Sequence, residues 1–161
     1  MLLKAFPALV LLFGACTPPC VAPRSGPGGG VPTSEEVARL IARVEAGDEC
    51  QTDWAVSILP DLSGGDLEDT TRAIGAAAAH HPVVFLRVME SRHLDDNHIK
   101  SIIRMLPLSS VDHDAEKLRL VRERIAALRT VTDPRLTRVR DVAISFLSAY
   151  EQELHGPDGM K

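Results

Sequence analysis

Residues 116–150 read EKLRLVRERIAALRTVTDPRLTRVRDVAISFLSAY, and they decide the fold class. Leu118, Val121, Ile125 and Leu128 recur at three- and four-residue spacing, and Leu136, Val139, Ala143, Phe146 and Tyr150 do the same beyond Asp133-Pro134. Side chains three or four apart share one face of an α-helix, whereas a strand alternates its faces every second residue. Two amphipathic helices joined by a short Asp-Pro turn are expected to bury their apolar stripes against each other as an antiparallel hairpin.

The helical period continues toward the N-terminus. Asp95 or Asp96 can cap a helix carrying Ile99, Ile102, Ile103 and Leu106, closed by Pro107. Thr33 and Glu36 are spaced as a capping box ahead of Val37, Leu40, Ile41 and Val44, with a stop at Gly47. Asp48 can cap a second helix with Trp54, Ala55 and Ile58, ended by Pro60 and Gly64-Gly65. Asp66 is expected to start a third, which runs through Ala76–Ala79 to Pro82; that proline either breaks it or opens a further helix through Phe85, Val88 and Met89.

Composition agrees. Of 161 residues, 45% are hydrophobic but only 4% aromatic, so a real core is available and packed helices are favoured over a sheet of aromatic and β-branched side chains. The expected fold is all-α: a compact bundle of six or seven helices made of helical hairpins, spanning 33–155, with 156–161 as a disordered tail.

The N-terminus has a different character. Lys4 precedes an apolar run from Ala5 to Ala15, the charged and apolar regions of a secretory signal in residues 1–15. Leu12-Phe13-Gly14-Ala15-Cys16 resembles the lipobox of bacterial lipoproteins. The resemblance covers this segment alone. It implies cleavage after Ala15 and acylation of Cys16, with Thr17 favouring the outer membrane over inner-membrane retention. Residues 16–32, rich in Pro and Gly, then read as a lipid-anchored flexible linker, with a reach of roughly 20 Å.

With Cys16 used by the lipid, Cys20 and Cys50 remain as an even pair in an oxidising compartment and could form one disulfide. Equally, Cys20 could be a free thiol and Cys50 a small buried apolar residue.

Candidate chemistry is sparse. His93, Asp95, Asp96 and His98 could in principle ligate a metal, but two histidines five apart share no helical face and the aspartates are explained as caps. His80-His81 suits a helix end, where imidazoles meet exposed carbonyls. His113-Asp114 with Ser109 or Ser110 could imitate part of a hydrolytic triad, outside any G-x-S-x-G context. No catalytic residue, metal or cofactor is assigned.

Charge is unevenly distributed within a net of −4. Residues 34–69 hold ten acids against Arg39 and Arg43. Residues 117–140 hold Lys117, Arg119, Arg122, Arg124, Arg129, Arg135, Arg138 and Arg140 against Glu123 and Asp133. Either these two regions face each other and the cations form an ordinary solvated face, or the cations make a basic surface that recognises an acidic protein or a phosphate-bearing envelope glycolipid. Nucleic acid is not expected outside the cytoplasm. The expectation is a non-catalytic protein-binding module held at the envelope, facing the periplasm from the outer membrane. It would be an immunity-type inhibitor of a toxic enzyme or an accessory subunit of an envelope assembly. The competing expectation is a small envelope hydrolase or metal protein using His93, His98 or His113.

Overall fold

The computed structural model describes residues 32–156. The signal segment, the lipobox with Cys16, the linker with Cys20, and residues 157–161 lie outside the described residues. Seven α-helices and three short 3-10 turns make up the domain, with no strand among the described residues.

The capping signals place most helix starts. Helix α1, Ser34–Glu45, opens on the complete capping box: Glu36 N–H donates to Thr33 Oγ1, and Thr33 N–H donates to the Glu36 carboxylate. Helix α2, Glu49–Ile58, is capped by Asp48, and α5, Asp96–Arg104, by Asp95. Helix α3, Gly64–His80, begins two residues before Asp66, with Ser63 at the cap position and Asp66 in the first turn. Pro82 is the first residue of α4, Pro82–Ser91, where its missing N–H costs nothing.

Helices α6, Asp114–Arg129, and α7, Thr137–His155, form the most extensive interface in the domain. They run antiparallel: Arg122 in mid-α6 meets Glu151 near the end of α7, while Arg140 near the start of α7 donates to Val131 O just past α6. Val121, Ile125, Leu128, Leu136, Val139 and Ala143 are buried as their spacing predicts. Leu147, rather than Phe146 or Tyr150, completes the buried stripe of α7. Phe146 and Tyr150 are half-buried at the rim, beneath Lys100 and Arg104 of α5, at 5.6 and 4.2 Å from the ring centres.

At the centre lies α3, which packs against α1, α2, α4, α5 and α6. Its inner faces carry Ala73, Gly75, Ala77 and Ala78, all buried, so neighbouring backbones approach closely. A Cβ at Gly75 would stand 2.5 Å from Ile102 O and 3.2 Å from Met105 O. Into the same junction reaches Arg124 of α6, only 2% exposed, donating to Ile103 O and, at 2.8 Å, to Met105 O. These carbonyls lie in the last turn of α5 and at the residue that caps it, where the helix supplies no partners of its own. Burial pushes the Arg124 guanidinium down to about 10, still charged at neutral pH, and the negative end of α5 is where a cation is best placed.

Between α1 and α2, Gly47 (φ +80) turns the chain. The His81 ring packs against it, and its Nε2–H donates to Glu45 O at 3.1 Å.

The junction and the caps should each leave a measurable signature. Gly75→Ala should lower stability by about 1–3 kcal/mol through overpacking, and Arg124→Met by about 2–4 kcal/mol by orphaning two carbonyls. Because both break one junction, urea midpoints should show the double variant losing less than the sum of the single losses. Acid should also destabilise. The backbone N–H of His98 holds Asp95 below its ordinary value, that of Thr33 does so for Glu36, and Arg135 pulls Asp133 down to about 2. Carboxyls depressed in the folded state stabilise fully above about pH 4–5 and lose that contribution as pH falls through the folded values. Urea midpoints should therefore decline between pH 5 and 2, and less steeply in Asp95→Asn.

Candidate functional site

The basic segment is not a basic surface once its partners are counted. Lys117 pairs with Asp114 at 2.9 Å, and Arg119 with both Glu116 and Glu123. Arg122 pairs with Glu151 at 2.7 Å, and Arg135 with Asp133 at 2.7 Å. Arg138 lies 3.3 Å from Glu90 and 3.6 Å from Asp96, and Arg140 2.9 Å from Asp141. Arg124 belongs to the core junction and must be removed from any surface. Of the cations left at the surface, Arg129 is the one that makes no ion pair among the described residues. Six of the neutralising acids, Glu90, Asp96, Asp114, Glu116, Asp141 and Glu151, fall outside the 117–140 window that made the segment look cationic.

The acidic N-terminal region is balanced only in part: Arg39, Arg43 and Arg72 pair with Glu35, Asp48, Glu68 and Asp69, while Glu36, Glu45, Asp61 and Asp66 make no ion pair among the described residues. Arg92 clasps Asp53 through Nε and a terminal nitrogen, and Arg87 reaches Glu49. Among the described residues, no ion pair joins 34–69 to 117–140, so the expected mutual facing of the two regions is not what neutralises them.

The histidines are dispersed. His98 Nδ1 lies 2.9 Å from the capping carboxylate of Asp95, and His93 is exposed at a left-handed φ of 49. No group of three or more His, Cys, Asp or Glu that could hold a metal occurs among the described residues. The serine nearest His113 is unsuited to attack: Ser110 is 1% exposed and its hydroxyl donates to Pro107 O at 2.7 Å.

What stands out is the connection that Ser110 anchors. Between α5 and α6, residues 105–113 fold into a loop around a 3-10 turn, Leu108–Ser110. Ser110 N–H donates to Pro107 O, Val111 N–H to Leu108 O and His113 N–H to Ser110 O, all between 3.0 and 3.1 Å. With Ser110 turned into the protein, Leu108 and Val111 are turned out, 65% and 53% exposed. Val83 is the remaining exposed large apolar residue of the described part. Sequence reasoning passed over Leu108 and Val111. Their only signal is that both are large apolar residues off any helical stripe, in a turn bounded by Pro107 and Asp112.

Two further features lie on the α1–α2 side. A groove of about 300 Å³ is lined by Glu36, Arg39, Leu40, Arg43, Gln51 and Trp54. One residue before Gln51, Cys50 is disulfide-bonded. The alternative in which Cys50 is only a small buried apolar residue is thereby corrected; the other two cysteines of the chain, Cys16 and Cys20, both lie outside the described residues.

No family model, curated protein or solved structure matches the chain.

Whichever cysteine is its partner, the bond closes a loop of 31 or 35 residues that contains all of α1. Reduction should therefore cost about 2–4 kcal/mol, read as a lower urea midpoint in a phosphine reductant. An unchanged midpoint would mean that the crosslink constrains nothing the fold has not already ordered.

Proposed function

We propose that this chain is a lipid-anchored protein of the bacterial cell envelope, attached through Cys16, whose helical domain binds another protein and catalyses no reaction. The disulfide at Cys50 supports the location, because such bonds persist in the periplasm and not in a reducing cytoplasm. No helix of the described residues is long and apolar enough to cross a membrane; in this reading the acyl chains on Cys16 hold the domain, their buried methylenes contributing roughly 0.8 kcal/mol each.

The observation that carries the binding reading is the loop at 105–113. An apolar pair held outward by a hydrogen-bonded turn and a buried serine has already lost the freedom that docking would otherwise remove. Exposed apolar residues flanked by polar ones such as Ser109 and Asp112 have the apolar centre and polar rim of a small protein-binding patch. The partner is an envelope protein or an incoming toxic enzyme. In the first case the chain is an accessory subunit of an envelope assembly, and in the second an immunity-type inhibitor.

A photo-crosslinking residue placed at 108 or 111 in the full, membrane-attached chain should yield a discrete adduct in intact cells. The same residue at Val83 or Arg119 should not. Adducts at 119 without any at 108 or 111 would return the binding site to the cationic helix. If the adducted protein is a secreted enzyme, the inhibitor form is supported; if it is a resident envelope protein, the accessory form is.

A further inference from the structure

We infer that Cys20 is the partner of Cys50, and that this bond moves the point at which the lipid anchor holds the domain from the start of α1 to the corner between α1 and α2. The inference rests on the lipid-anchor reading above. A sulfur alkylated as a thioether cannot also be in a disulfide, so if Cys16 carries lipid, Cys20 is the one cysteine left in this chain for Cys50.

The geometry follows from chain lengths. Without the bond, seventeen residue steps separate Cys16 from Thr33, the cap of α1. Fully extended, these allow roughly 60 Å of reach. With it, only Thr17, Pro18 and Pro19 lie between the acylated residue and the crosslink. Four steps span at most roughly 14 Å, and a disulfide adds no more than about 7 Å between Cα atoms.

Cys50 sits in the first turn of α2, next to the far end of α1, a helix of 12 residues. The attachment therefore shifts by the length of α1, roughly 18 Å, as well as shortening about threefold. A long leash that leaves orientation free becomes a short one that holds a chosen corner at the bilayer. Helix α2 packs chiefly on α1, α3 and α4 and shares no extensive interface with α5 or α6, the helices that the 105–113 loop joins.

The chain carries its own reporter. Trp54 is the only tryptophan, four residues past Cys50 on the same helix, and it lines the open groove between α1 and α2. The full chain, extracted from membranes, would be reconstituted into phosphatidylcholine vesicles with and without a lipid bearing a nitroxide on its headgroup. Quenching is taken as the intensity ratio of the two preparations in one redox state, which cancels any direct effect of the disulfide on the indole.

Trp54 should be quenched in the oxidised protein. A phosphine, which opens the disulfide but leaves the thioether, should reduce the quenching by about twofold or more, as expected for a longer flexible link. Cys20→Ser should show the weaker quenching without reductant, at unchanged helix content. Vesicle-bound protein whose quenching responds to neither change overturns the short leash and leaves the anchor standing. Protein that does not stay with the vesicles overturns the anchor and this inference together. Peptide mapping under non-reducing conditions tests the pairing directly: a Cys20–Cys50 peptide with Cys16 acylated agrees, and a Cys16–Cys50 peptide refutes both.

Discussion

The domain depends on how closely α5 can approach α3. At Gly75 there is no room for a methyl group, because the last carbonyls of α5 come down onto the α3 backbone there. A helix end brought into the interior would ordinarily leave its carbonyls without partners. Arg124 resolves this from the third side, donating to two of them. The arrangement needs a small residue on α3, a helix terminus from α5 and a long cation from α6, and it locks three helices by one contact. Arg124 has no carboxylate for a partner; the carbonyls and the dipole of α5 take that place, and this offsets the desolvation of a buried guanidinium.

Much of this fold is legible in the sequence because helix starts are local chemistry. Thr33 with Glu36, Asp48 and Asp95 each satisfy the N–H groups two or three residues on, and no tertiary information is needed to see it. Asp66 misleads because Ser63 and Gly64 offer an earlier start and the acid fits equally well in the first turn. The α7 stripe is legible as far as Ala143. Beyond it, residues three and four ahead lie almost equally near the seam, and the position of α5 decides that Leu147 goes in while Phe146 stays at the rim. Gly75 is not legible at all: a glycine amid alanines reads as a weak point in a helix, and only the placement of α5 gives it a reason.

The candidate site is less legible for a related cause. Counting charges in a window treats the chain as a line, while the neutralising acids lie just upstream of the window or on α4, α5 and α7. The outward turn of Leu108 and Val111 likewise follows from the burial of Ser110, which no periodicity predicts. Cys50 stands between these cases. Cysteine parity raises the disulfide as one of two alternatives, and the structure selects it for Cys50.

The self-contained ion pairs bear on how fast a partner can find this domain. Opposite charges held within 4 Å of each other on one helix or on touching helices cancel at distances beyond the screening length of about 8 Å at physiological salt. Helices α6 and α7 therefore add little directed field of their own, and long-range steering falls to the excess of acids in residues 34–69. For the docking proposed at the 105–113 loop, selectivity would then lie in dissociation, through how long short-range apolar contact holds.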